Sequence, residues 1–161
     1  MSAGAEPRES EMWVDAAARY FSGEHTLFSH FRMQVLAVVG NEIRVRAVLP
    51  EFLADRDRPE TIHGGALTII LDTVFGFAVI SRVRSLQPIA TVNLKTEHVA
   101  KGRPGAIVEC RAECHAVRSS IGFARGEAFD AATGELLTTA TGAFMIGTKG
   151  PDFRSMNGVG I

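Results

Sequence analysis

Hydrophobic and polar positions divide the chain sharply. From 66 to 80 nearly every residue is apolar or small, and Asp72 is the only charge. A run of that length without two-residue alternation predicts a helix that is apolar on all faces and therefore buried, ending around Ser81-Arg82. Before it, residues 9–21 predict a short amphipathic helix capped near Ser10 and stopped at Ser22-Gly23. Residues 28–39 predict a strand, followed by a turn at Gly40-Asn41. Residues 42–49 then alternate cleanly until Pro50. A polar loop crowded with charges fills 51–60.

The second half reads as strand throughout. Residues 89–99 are rich in β-branched side chains and are bounded by Pro88 and Gly102. Over 106–117 the period is two: Glu109, Arg111, Glu113 and His115 share one face, and Val108, Cys110, Ala112, Cys114 and Ala116 the other. Arg118-Ser119-Ser120 predicts a turn and 121–129 a strand. Residues 130–134 form a hairpin loop, and 136–146 the last strand. The expected order is helix, two strands, buried helix, four strands. Successive hairpins imply an antiparallel sheet, and an apolar helix needs a curved apolar face to lie on. The fold class expected is α+β, an antiparallel sheet wrapped around one long central helix. Residues 1–27 would be an N-terminal helical segment, 28–147 the domain, and 148–161 a loose tail.

Composition narrows the function classes. The chain has 161 residues, 46% of them hydrophobic, with formal net charge −1. That is enough for one real core, and it lacks the basic excess of a nucleic-acid binder. The apolar run is too interrupted to predict a membrane span, and the polar start has no signal-peptide core. Cys110 and Cys114 on one strand would lie roughly 13 Å apart, beyond disulfide reach. Two buried thiols in a reducing cytoplasm are expected.

The candidate chemistry sits on the central helix. An ionised carboxylate inside an apolar helix is costly unless something pairs with it, so Asp72 is a candidate functional acid. Gly64 and Gly65 open the same helix. Its start offers unpaired N–H groups that favour negative charge. His25, His30, His98 and His115 show no metal-ligand spacing, so no metal is expected.

His63-Gly64-Gly65 followed by the helical Asp72, the strand Ala90-Thr91-Val92-Asn93-Leu94-Lys95 and the ending 134–146 resemble the hot-dog fold thioesterases, most closely the phenylacetate-pathway (PaaI)-like acyl-CoA thioesterases. The resemblance runs over residues 31–146. It implies hydrolysis of an acyl-CoA thioester by a homo-oligomer, a dimer or a dimer of dimers, with no cofactor beyond the CoA of the substrate. It makes the Gly64 N–H the donor to the thioester oxygen, Asp72 either the base for water or the nucleophile, His63 a brace for the helix start, and Thr91 a hydroxyl near the water. Gly65 would join the substrate site. Lys101 and Arg103, and Arg118 with Ser119 and Ser120, would meet the CoA phosphates, with Arg82 and Arg84 beyond the helix. Phe52, Leu53 and Phe75 would line an acyl slot. Many relatives have Asn six residues before the His; here that position is Asp57, inside a loop that also carries Arg56 and Arg58. A second carboxylate would raise a pKa near Asp72 unless an arginine neutralised it.

Helix geometry adds a constraint. Gly64 and Asp72 are eight residues apart, roughly 12 Å along a helix, so one carbonyl cannot reach both groups of one chain. If both act on it, two helices meet antiparallel across a two-fold axis, and a monomer is inactive. A non-catalytic acyl-CoA binder is the alternative, against which Asp72 argues. A hydratase ranks last, because Phe77 stands where such relatives have His.

Overall fold

The computed structural model describes residues 26–149 except Leu86, together with Met12, Asp15 and Arg19. The helix expected over 9–21 lies outside the described residues apart from those three positions, which are helical. The tail from 150 onward also lies outside them.

The described elements are α1 (Thr26–Phe31), β1 (Gln34–Val39), β2 (Glu42–Val48), a 3-10 turn (Glu51–Leu53), α2 (Gly65–Val83), β3 (Ile89–His98), β4 (Ile107–Arg118), β5 (Ile121–Asp130) and β6 (Leu136–Ile146). The strands form one antiparallel sheet in the order β1-β2-β4-β5-β6-β3. This α+β architecture, one long helix held in a six-stranded antiparallel sheet, is the one the sequence predicts. The exception is the start of the 28–39 strand, because residues 28–31 belong to α1. Apolar residues at 27, 28 and 31 have helical spacing, and Phe31 is buried in the core. Arg32, at φ 45°, ends that helix and turns the chain into β1.

The core lies between α2 and the concave side of the sheet. Ile43, Val45 and Ala47 of β2 and Val108, Cys110 and Cys114 of β4 meet Leu67, Ile70, Leu71, Val74 and Phe75 of α2, all fully buried. Each such aliphatic or aromatic side chain contributes about 1.5–3 kcal/mol by leaving water. Close approach of helix and sheet depends on β5, whose inward residues Gly122, Ala124, Gly126 and Ala128 are all small. A Cβ at Gly122 would lie 2.6 Å from Val79, and one at Gly126 would meet Phe75 and the Arg111 carbonyl.

α2 is long and apolar enough to cross a membrane by length and composition alone. That corrects the expectation that the run is too interrupted, and the enclosing sheet accounts for its apolar surface. Cys110 and Cys114 are free and buried. Burial pushes the Cys110 thiol up to about 12, with Glu109 adding to the shift.

Candidate active site

The sheet leaves one stripe of α2 incompletely covered. Gly65, Thr68, Ile69, Asp72 and Thr73 follow one another at three- and four-residue spacing and are half-buried, while the flanking residues are buried. Asp72 is therefore not sealed in the core, as an all-apolar helix implies. It lies on the one face that the sheet does not close.

The edge strand β3 runs beside this stripe. A bulge between Thr91 and Asn93 lets Thr91, Leu94, Thr96 and His98 all turn toward the helix. Thr91 Oγ1 donates to Asp72 Oδ1 at 2.8 Å. The Thr68 and Thr96 hydroxyls are 3.4 Å apart, and His98 Nδ1 lies 3.0 Å from the buried Thr138 hydroxyl. A polar seam thus joins helix and edge strand where a core layer would be apolar. Asp72 and Thr91 of the predicted set meet directly in it. Thr68, Thr96, His98 and Thr138 escape a reading of the sequence. The available signal is that β3 is polar at alternate positions on both faces.

The start of α2 is fixed by His63. Its backbone N–H donates to Leu53 O at 2.9 Å and its carbonyl accepts from Ala66 N at 3.0 Å. Its Nδ1 accepts from Gly65 N–H at 3.1 Å. The Gly65 N–H is thereby occupied. Gly64 is the N-cap residue, without a side-chain cap, and its N–H has no hydrogen-bond partner among the described residues. An unpaired amide at the positive end of a 19-residue helix is a preformed site for developing negative charge.

Asp57 is exposed and forms no bond to Asp72; its N–H donates to Asp55 Oδ1 at 3.0 Å. That bond, with help from Arg58 and Lys101, holds the Asp55 carboxyl below the usual carboxylate range against the opposing effect of desolvation. Lys101 and Arg103 flank the helix start, because Gly102 O accepts the Ile62 N–H at 2.9 Å. Arg103 reaches Asp130 at 3.3 Å and remains mostly exposed. It also forms part of the wall of an open depression of about 500 Å³ shared with Pro59, Glu60 and Pro104. The turn of Arg118, Ser119 and Ser120 is exposed. It belongs to the end of the sheet where Gly122 meets Val79 of α2, so one chain holds the two cationic places at opposite ends of the helix. Phe52 is exposed and Leu53 half-buried. Phe75 is fully buried, edge-to-face on Phe144 at 6.4 Å, which removes it from any acyl slot.

Residues 60–137, from the loop before α2 into β6, match the family model described as the thioesterase superfamily. The chain has the hot-dog fold of that superfamily. Among solved hot-dog structures, the PaaI protein of the Escherichia coli phenylacetic acid degradation operon superimposes with TM-score 0.72 at 13% identity, covering 85% of this chain and 94% of that one. A phenylacetic acid degradation-related protein from Ralstonia eutropha gives 0.69 at 20% identity, with coverage of 80% and 97%. A hypothetical thioesterase from Streptococcus pneumoniae, solved with coenzyme A, gives 0.64 at 16%, with coverage of 73% and 88%. At these identities the likeness to the three is one of fold. No curated protein matches the hot-dog chain in sequence.

Proposed function

We propose that the protein is an acyl-CoA thioesterase that hydrolyses its substrate to a free carboxylic acid and CoA. The observation that carries this is the arrangement along α2: a carboxylate held by Thr91 on the uncovered stripe, and an unpaired Gly64 amide at its start. Asp72 takes a proton from water as its oxygen attacks the thioester carbon, or attacks that carbon itself to give an anhydride that water then cleaves. In either route the carbonyl oxygen gains charge and the Gly64 N–H receives it. The C–S bond then breaks and the thiolate of CoA leaves, to be protonated.

The active unit in this reading is a homodimer. The roughly 12 Å between Gly64 and Asp72 requires the partner's helix to run antiparallel, so that one subunit supplies the carboxylate and the other the amide. Support comes from β3, a ten-residue strand at the sheet edge whose residues 90–93 are all exposed in one chain. Such an edge is a template for pairing with a second copy. The same two-fold axis brings the Arg118 turn of one subunit toward Lys101 and Arg103 of the other, a cationic mouth for the CoA phosphates. The coenzyme A present in the Streptococcus pneumoniae structure supports that ligand class. The two buried free thiols fit a reducing compartment such as the cytoplasm.

The test is release of free thiol from a panel of aryl- and alkyl-CoAs, with sedimentation to establish the dimer. Asp72→Ala is expected to lower kcat at least 10²-fold. Wild-type turnover by that variant would exclude the role of the acid. Tight acyl-CoA binding without turnover by the wild type would favour the binder.

A further inference from the structure

The proposed reaction leaves one conspicuous side chain of the seam without a task. A Cβ built on Gly64 would stand 2.9 Å from His98 Nε2, 3.1 Å from Cδ2 and 3.3 Å from Cε1. Three nearly equal distances describe a point over the ring face at Nε2. A point ahead of the N–H bond would lie much farther from both carbons than from the nitrogen. The imidazole therefore lies flat against the Gly64 backbone, and a hydrogen on Nε2 points across the helix start rather than into it. Nε2 has no hydrogen-bond partner among the described residues.

The tautomer follows from Thr138. Its side chain is fully buried, and among the described residues His98 Nδ1 is the hydrogen-bond partner of its hydroxyl. A buried hydroxyl that donated to nothing would lose about 1–3 kcal/mol. Donation from Thr138 to Nδ1 satisfies it and places the ring proton on Nε2. The spacing also fits a shared acceptor. A backbone nitrogen lies about 2.5 Å from the Cβ position of its own residue, so Nε2 is within about 5.4 Å of the Gly64 nitrogen (2.9 plus 2.5). Two donors that each approach one oxygen at roughly 2.9 Å stand up to about 5.8 Å apart.

We propose that His98 is a second oxyanion donor: its Nε2–H and the Gly64 N–H together hold the thioester oxygen as it gains charge, with Thr138 as the positioning residue that fixes the tautomer. This rests on the thioesterase reading and deepens it. It gives Gly64 a further reason to lack a side chain, since any Cβ there would push the imidazole aside.

The test measures kcat and KM of full-length wild type, His98→Phe, His98→Gln, Thr138→Val and Thr138→Ser with the best acyl-CoA of the panel, alongside melting temperatures. His98→Phe keeps a flat ring and removes the donor. It is expected to lower kcat about 10²-fold while KM stays within about two-fold. His98→Gln, which returns an amide N–H to nearly the same place, recovers part of the loss. Thr138→Val lowers kcat and Thr138→Ser restores it. A folded His98→Phe variant with kcat within about two-fold of wild type overturns the proposal. If in that experiment Asp72→Ala is inactive, the thioesterase reading stands and only the role of His98 falls. If the wild type hydrolyses no acyl-CoA, both fall.

Discussion

Replacing Thr91 with valine removes one hydroxyl and keeps the β-branched shape of the side chain. In the structure that hydroxyl is the side-chain donor to Asp72, at 2.8 Å. Hydrogen bonds to charged acceptors contribute about 1.5–3 kcal/mol. Thr91 is exposed and Asp72 half-buried in one chain, so water replaces part of the lost interaction and the lower end applies. About 1.5 kcal/mol of lost orientation in the transition state corresponds to a roughly ten-fold lower kcat. Stability should shift by no more than about 0.5 kcal/mol, because valine suits an exposed edge strand and no buried group loses a partner. The assay is initial-rate thiol release over a range of acyl-CoA concentrations, with Thr91→Ser as the control that keeps the hydroxyl. Thr91→Ser should retain wild-type kcat and Thr91→Val should not. Equal kcat for all three proteins would show that the bond to Asp72 does not contribute, and with it the claim that β3 orients the acid.

Two further expectations concern the scaffold. Gly126→Ala drives a methyl group toward Phe75 and the Arg111 carbonyl. A backbone atom cannot step aside, so the loss should be about 3 kcal/mol, read as a melting temperature lower by roughly 6–12 °C; an unchanged melting curve would refute the helix–sheet spacing. At Asp130, burial raises the carboxyl pKa, but the Ala132 and Thr133 N–H groups and Arg103 outweigh it and hold the group below its usual range. A depressed native pKa means that this carboxylate stabilises the fold above about pH 4 and that the contribution is lost as pH falls through the lower native value. The gap in urea midpoint between wild type and Asp130→Asn should be full at about pH 7 and narrow progressively as pH falls below about 4; a gap independent of pH would contradict it.

The strands of the second half are legible from β-branched runs bounded by turn residues and, at their best, from alternation about a single core face. The clearest is β4, where Glu109, Arg111 and Glu113 oppose Val108, Cys110 and Ala112. The central helix was legible from its uninterrupted apolar run. What escaped the sequence depends on pairing across the sheet. In the sequence α1 runs into the strand that follows it, because Phe31 fits either element until its burial is seen. Phe75 looked like a pocket residue because composition cannot say which side of an all-apolar helix faces Phe144. His98 appeared as one of several scattered histidines. Its contact with Gly64 joins residues 34 positions apart, and its bond to Thr138 spans 40. Neither has a local pattern to betray it.

The bulge at Val92 carries a consequence for how such a chain can vary. Thr91 and His98 are an odd number of positions apart, so in an uninterrupted strand one would address the helix and the other the solvent. The extra residue restores their parity. Deleting Val92 would remove the bulge and leave the two an even number of positions apart, so both would still face α2. Deleting a residue between Asn93 and His98 would instead keep the bulge and leave only one end of the seam facing the helix. Point substitutions can test the two ends separately. A single-codon deletion beyond the bulge would uncouple them, and its remedy would be a compensating insertion in the same stretch.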